Sequence, residues 1–289
     1  MQWNIERGGV DRDGSTRRWP LIVDAAKRLA TEVAPDLVFI NEAYEWVSSG
    51  RADLFAEAIG ATGWRRVRHP GGYDMMLFAS AAVTITGWVE RPHWMAPTVT
   101  VGLATVRLPG WPQVMAAITH LSPWSGQERW QQAARLASLT NRRGPVLLAG
   151  DFNCIGPDDA EPDMGALPPD KLFAHKLPDS SYDNPVTDRR ALAELADIGW
   201  HDAAALIDEQ HDDPDGPWMV EVPTSGLWGT DDMPCRKAHV LLNPDLDRVA
   251  EVVDYQVHGA DSGSLEQEIS DHLPISATLR LRAGLNDRR

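Results

Sequence analysis

From Pro145 the chain runs Val-Leu-Leu-Ala-Gly into Asp151, Phe152, Asn153 and Cys154, a short apolar stretch that stops at a carboxylate and a carboxamide. Val146 to Ala149 are uncharged and small or branched, as a strand covered on both faces requires, so the run demands a sheet buried between other layers. Gly150 admits a backbone turn that a Cβ would obstruct. Asp151 and Asn153 then stand at an edge, where loops build sites. Together they supply a proton acceptor and a neutral group that both donates and accepts, suited to holding a water against a phosphate; the same pair can also simply close a strand as an Asx turn.

The rest of the chain alternates in keeping with that strand. Met1 to Glu6 reads as a strand with Asn4 and Glu6 on one side. Apolar residues recur at helical spacing from Arg18 to Val33, with Pro20 in the first turn and Pro35 as the stop. Leu37 to Ile40 is a buried strand with Glu42 just past it, so strand and helix have alternated and a layered α/β architecture is implied. Arg51 to Ile59 is a second helix. Strand character follows at Trp64–Arg68, Tyr73–Ala79, Val83–Val89, Thr98–Leu108 and Gln113–His120, a succession that favours antiparallel pairing. A helix is expected from about Gln127 to Thr140 with Trp130, Ala133, Ala134 and Ala137 as its apolar stripe. The residues from 154 to about 187 read as one long aperiodic loop placed to shape a pocket. Ala191 to Ile198 is helical, Trp200 to Ala203 a turn that would carry Asp202 toward the site, and Val220–Val222, Ala238–Leu242, Val249–Val257 and Leu273–Leu281 complete the strands.

At 289 residues the chain can bury a large core, and because the candidate site pieces run from end to end, 1–289 is read as a single domain. No apolar run approaches a membrane span and no export signal precedes Asn4, which makes a soluble cytoplasmic protein the simplest expectation. Cys154 and Cys235 match no zinc pattern and are read as thiols. The net charge of −15 argues against a surface that wraps nucleic acid, since such binding is largely phosphate neutralisation by Lys and Arg. Arg17-Arg18, Arg65-Arg66 with Arg68, Arg142-Arg143 and Arg189-Arg190 are the local exceptions. Most of the 12 tryptophans are expected in the core; Trp124, just past His120, is also placed to stack a ring or base.

Trp3-Asn4-Ile5-Glu6, Ile40-Asn41-Glu42, Thr119-His120-Leu121, Asp151-Phe152-Asn153 and Ser270-Asp271-His272, in this order, resemble the endonuclease/exonuclease/phosphatase superfamily, the deoxyribonuclease I-like metal-dependent phosphoesterases. The resemblance implies an α/β (α+β) fold, a four-layer sandwich of two stacked mixed β-sheets flanked by helices, with the site where the sheets meet. It implies hydrolysis of a phosphate mono- or diester by an activated water. Glu42, Asn4, Glu6 and Asp271 would hold Mg²⁺ or Mn²⁺, as hard oxygen donors suit those ions. Asp151 would orient or deprotonate the water, Asn153 would hold water and phosphate, and His120 and His272 would meet the phosphoryl oxygens. Asn4, Trp124 and Asn153 would contact substrate. Small phosphate esters fit the acidic chain better than long nucleic acid; a nuclease or repair phosphodiesterase is the rival enzyme. Relatives carry an Arg-Ile-Asp-Tyr-like segment whose Asp pairs with the histidine of Ser-Asp-His. Here Cys235-Arg236-Lys237-Ala238-His239-Val240 puts Ala238 or His239 in its place, and a noncatalytic phosphate-recognising module is the reading that follows if that loss is decisive.

Overall fold

The computed structural model describes residues 1–69, 71–93, 95, 98–140, 144–165, 167–210, 218–228, 232–261 and 263–283. Arg142-Arg143 and most of the acidic stretch from Asp208 to Gly216 therefore lie outside the described residues.

Twelve strands are described: β1 (Gln2–Asn4), β2 (Leu37–Asn41), β3 (Gly63–Val67), β4 (Met75–Ala79), β5 (Thr84–Glu90), β6 (Val101–Arg107), β7 (Val114–His120), β8 (Val146–Asp151), β9 (His201–Asp202), β10 (Ala238–Leu242), β11 (Ala250–Val257) and β12 (Ile275–Leu281). They form two six-stranded sheets, in the orders β11-β12-β1-β2-β4-β3 and β5-β6-β7-β8-β10-β9. The expected run of antiparallel strands is real, but it divides between the sheets after β4. Each sheet is antiparallel except for one central parallel pair, β1 with β2 and β7 with β8. The two strands of each pair end together, on Asn4 and Asn41 in one sheet and His120 and Asp151 in the other, and bonds from Asn4 to Asp151 and from Asn41 to Thr119 join the two ends on one side of the sandwich.

Period-two alternation explains why the central strands are apolar throughout. In β2, Val38 and Ile40 face the outer helices while Phe39 faces the other sheet. In β8, Val146 and Leu148 pack outward and Ala149 inward. Phe39, Met75, Leu77, Val106, Ile118, Ala149, Val240 and Ile275 fill the space between the sheets. One outer layer is α1 (Arg18–Val33) with α2 (Arg51–Ala58), packed through Ile22, Leu29 and Phe55 onto Trp3, Ile40 and Phe78. The other is α3 (Gly126–Leu136) with the helix Arg190–Asp197, packed through Ala133, Leu136 and Leu195 onto Leu103, Ala117 and Leu148. Each fully buried aliphatic or aromatic side chain contributes about 1.5–3 kcal/mol, so these three layers of contact carry the fold.

Several local expectations are corrected. The inner stripe of α3 is Arg129, Ala133 and Leu136, while Trp130 stays at the surface under the Arg190 guanidinium. Arg129 can be buried because its guanidinium donates to the carbonyls of Ser122 (3.1 Å) and Ala174 (2.6 Å). The stretch read as one aperiodic loop contains the helix Pro169–His175, and its Ile155, Met164 and Leu172 form a small core with Met233 and Cys235 from later in the chain. Met219–Glu221 is a 3₁₀ turn where a strand was expected. Asp202 does not approach the site: it caps the helix Ala203–Asp208 and pairs with Arg236 and His239. The short helices Pro244–Val249 and Leu265–Ile269, each capped by the Asn or Ser before it, were not foreseen.

Candidate active site

Where the two parallel pairs end, each sheet contributes a polar row. In the first sheet Asn4 is the register partner of Asn41. Gln2 donates to Asn41 Oδ1 (3.0 Å), and Asn41 Nδ2 donates to the Thr119 carbonyl (2.9 Å), fastening the first sheet to the end of β7 in the second. The chain then turns through Glu42 at φ 60, a left-handed conformation uncommon for a residue with a side chain and often a mark of function. Its carboxylate accepts Asn4 Nδ2 on Oε1 (3.1 Å) and the Arg7 amide on Oε2 (3.0 Å).

In the second sheet His120 and Asp151 are register partners. Gly150 is required here for close approach, since a Cβ on it would lie 2.0 Å from the Thr119 carbonyl oxygen. Asp151 Oδ1 accepts the Asn153 amide (2.8 Å), so the Asx turn exists and serves the site at once. Asn153 sits at φ 51 and donates its side-chain amide to the Leu121 carbonyl (3.0 Å). Asp151 Oδ2 accepts Asn4 Nδ2 at 2.8 Å and faces His120 Nε2 at 3.5 Å and His272 Nε2 at 3.7 Å.

The third contribution arrives from far along the chain. Ser270 Oγ donates to the Asn4 carbonyl (2.9 Å) and accepts the His272 amide (3.1 Å), while Trp3 Nε1 donates to the His272 carbonyl (3.0 Å). These bonds staple Ser270-Asp271-His272 onto β1. Asn4, Glu42, His120, Asp151, Asn153, Asp271 and His272 are thus brought together.

Electrostatics divide the group. Burial would push the Asp151 carboxyl up, but the His272 and His120 imidazoles and the Asn4 amide hold it well below the usual carboxylate range. Burial likewise opposes charge on His120, and the bond to Asp151 outweighs it, so its pKa is raised. Asp271 moves the other way: burial, reinforced by the Glu42 charge, raises its pKa against the pull of His272. Two carboxylates in mutual repulsion beside an acceptor-rich amide make an arrangement that a cation would relieve.

The buried Oδ1 atoms of Asn4 and Asp271 have no hydrogen-bond partner within the protein, and both are pure acceptors. With Glu42 they form a set of hard oxygen donors of the kind Mg²⁺ or Mn²⁺ takes, so the residues fit such an ion. Among the described residues no group of three His, Cys, Asp or Glu is placed to hold a metal ion, and one of these three donors is an amide. Glu6 borders the set: burial and the charges of Asp271 and Glu42 raise its pKa against the pull of Arg18, whose guanidinium pairs with its Oε2 at 2.7 Å.

The gap in the late strand is visible. Ala238 is the register partner of Asp151 and lies in the core between the sheets, whereas His239 takes the opposite face and bonds Asp202 (2.7 Å) and the Cys154 carbonyl (3.0 Å). His272 Nδ1 is buried without a hydrogen-bond partner. Asp232 is engaged by Lys237, and Asp231 lies outside the described residues. Trp124 is 73% exposed just past His120, with Lys171 Nζ 6.0 Å from its ring. Burial pushes the Cys154 thiol up to about 12, which removes it as a nucleophile near neutral pH.

Sequence reasoning missed Asn41, the Arg7 amide, and His69, whose ring centroid lies 6.3 Å from that of His120. Asn41 alone left a signal, a polar residue inside a buried run. Arg7 contributes only backbone, and His69 arrives through sheet packing.

The model of the Endonuclease/Exonuclease/phosphatase family matches residues 1–272. This chain belongs to the endonuclease/exonuclease/phosphatase family. Members of the family are hydrolases of phosphoesters and generally use divalent metals. No curated protein matches the sequence. Solved structures do: D. rerio TDP2 complexed with single strand DNA product superposes at a TM-score of 0.63 with 15% identity, covering 96% of this chain and 97% of that one. An endonuclease/exonuclease/phosphatase from Beutenbergia cavernae gives 0.59 with 20% identity over 97% of this chain and 70% of the other. The human Nocturnin catalytic domain with bound sulfate anion gives 0.59 with 14% identity over 97% and 93%. At such identities the likeness is one of fold, and it agrees with the two mixed sheets and flanking helices of a family sandwich. No described helix is long and apolar enough to cross a membrane.

Proposed function

We propose that this chain is a divalent-metal-dependent phosphoesterase that hydrolyses a small phosphate mono- or diester. The observation that supports this most is a division of labour. Asn4 Oδ1, Glu42 and Asp271 present oxygen donors on one side, and Asp151, buried and held ionised, stands separately between two imidazoles. Mg²⁺ or Mn²⁺ bound by the first set would neutralise phosphoryl charge. Asp151 Oδ2 is the atom that receives the proton of the attacking water, and Asn4, which bonds both Asp151 and Glu42, fixes the two functions relative to one another. His120 and His272 present Nε2 toward the same point, where they donate to phosphoryl oxygens or to the leaving group. Asn153, fixed by its Asx turn, borders the water position.

Two rival readings rest on particular residues. The exposed Trp124, four residues past His120 in sequence, together with the TDP2 likeness, favours a nuclease acting on single strands. The unpartnered Nδ1 of His272 favours a noncatalytic module. Release of the aryl group from a phosphomonoester and a phosphodiester is expected with Mg²⁺ or Mn²⁺ and none with chelator. Cleavage of a single-stranded oligonucleotide at a far higher kcat/KM would select the nuclease. Absence of turnover on every substrate would overturn the enzyme.

A further inference from the structure

The two sheets meet at their edges as well as their faces, and where β3 meets β5 arginines gather in a protein of net charge −15. There β3 runs on into Arg68 and His69, and β5 ends at Glu90 and Arg91. Arg68 donates its amide to Glu90 Oε1 (2.8 Å), and Arg91 Nη2 donates to the Arg68 carbonyl (2.5 Å), so the two edges are tied. His69 is anchored through its own amide to Asp74 (3.0 Å), a carboxylate that also holds Arg66 at 2.6 Å. Arg68, His69, Glu90 and Arg91 line an open depression of about 440 Å³. Two guanidiniums and an imidazole face one carboxylate there, and both arginines are exposed to solvent. Arg91 adopts φ 48, a costly conformation for a residue with a side chain, which aims its guanidinium back over β3.

The depression adjoins the candidate site through His69. His69 and His120 stack obliquely, ring centroids 6.3 Å apart, so the imidazole facing Asp151 adjoins one of the lining side chains. The backbone fixes the longer span. The Arg91 amide bonds the Val101 carbonyl, Val101 pairs with Thr119, and Thr119 pairs with Gly150. At about 4.8 Å per strand, Arg91 is roughly 14 Å from the turn that carries Asp151. We propose that this depression is a second anion subsite, so that the preferred substrate carries, besides the ester that is hydrolysed, a further phosphate some 10–15 Å away along the His120–His69 line. The inference rests on the phosphoesterase reading for the position of the first phosphate. Either a short oligonucleotide or a small bisphosphorylated metabolite has this chemistry.

Binding is measured by calorimetry on the full chain in Mg²⁺, with four probes: pTpTp, pTpT, decane-1,10-diyl bisphosphate and decyl phosphate. Each probe phosphorylated at both ends is expected to bind about tenfold more tightly than its partner phosphorylated at one end. Arg68→Gln/Arg91→Gln should collapse that ratio to near one. Arg91→Gly, which accepts the left-handed backbone while removing the cation, should lower it severalfold without loss of fold, checked by melting. A gain in both pairs supports the subsite and shows that phosphate alone is recognised. A gain with pTpTp alone supports it and names an oligonucleotide as the source. Equal affinity within both pairs, or a gain that survives the double substitution, overturns the subsite. Because binding is the readout, a protein that binds as expected yet turns nothing over would refute the phosphoesterase reading and leave the subsite standing.

Discussion

Asn4→Asp puts the central joint of the site under a measurable load. Asn4 Nδ2 lies 2.8 Å from Asp151 Oδ2 and 3.1 Å from Glu42 Oε1, so a carboxylate there would face two others. At about 4 Å between charge centres and an effective dielectric near 20, each repulsion is about 4 kcal/mol, or about 8 together. Protonating the new carboxyl at pH 7 costs less, about 4 kcal/mol from a reference pKa of about 3.9, so the folded protein takes that route. The neutral acid retains one donor where the amide had two, losing one charge-assisted bond of about 2 kcal/mol. In chelator the variant should therefore be about 6 kcal/mol less stable than the parent at pH 7, comparable with the whole stability of many domains. The folded pKa of the new group is raised, so the penalty grows as pH rises above about 3.9: about 2 kcal/mol near pH 4, then about 1.4 more per pH unit. Urea unfolding of parent and variant at pH 5, 6 and 7 reads that slope, and saturating Mg²⁺ should recover more than half of the loss at pH 7. A penalty below about 1 kcal/mol, or one flat with pH, would show that Asn4 does not bridge Asp151 and Glu42.

Further outcomes follow from the same geometry. Asp151→Asn should lower kcat by about 10²–10⁴ with KM nearly unchanged, since the carboxylate acts on the water; a pure KM effect would assign it to binding. Glu42→Gln should weaken Mg²⁺ binding in calorimetry by at least about tenfold, and an unchanged affinity would remove Glu42 from the metal set. His120 has a raised pKa, so its pairing with Asp151 stabilises the fold below the unfolded value of about 6.5 and that contribution is lost as pH rises through the folded value. His120→Gln should erase this step from the stability profile, and a profile identical to the parent's would refute the pairing. Ala238→Asp, opposite Asp151, should supply the carboxylate missing beside His272 and move the histidine-dependent limb of the pH–rate profile upward by about one unit. If the limb stays while His272→Ala abolishes it, another group already orients His272.

Much of the architecture is legible in the chain because it is written in local periodicity. A strand apolar on both faces, such as Val146–Ala149, requires cover on both sides, and α1 ends where Pro35 and the left-handed Ala34 oblige it to end. The candidate residues are legible for a related reason: Glu42, His120, Asp151 and Asn153 are polar groups at the ends of runs too apolar to lie anywhere but in the core. Short helices such as Pro244–Val249 are not legible, since six residues carry less than two turns of pattern. Nor is the inner face of α3, which depended on two distant carbonyls to receive the Arg129 guanidinium.

Tertiary structure decided what each polar group does. Nothing in Trp3-Asn4-Ile5-Glu6 distinguishes an Asn that bridges two carboxylates from a Glu committed to Arg18; the difference lies in which partners packing delivers. The same is true of Ala238 and His239, whose alternatives remained open until the pairing of β10 with β8 set one against Asp151 and turned the other outward. A strand's sequence specifies which residues share a face, but the register between strands, set by the packing of the whole sandwich, specifies what that face meets.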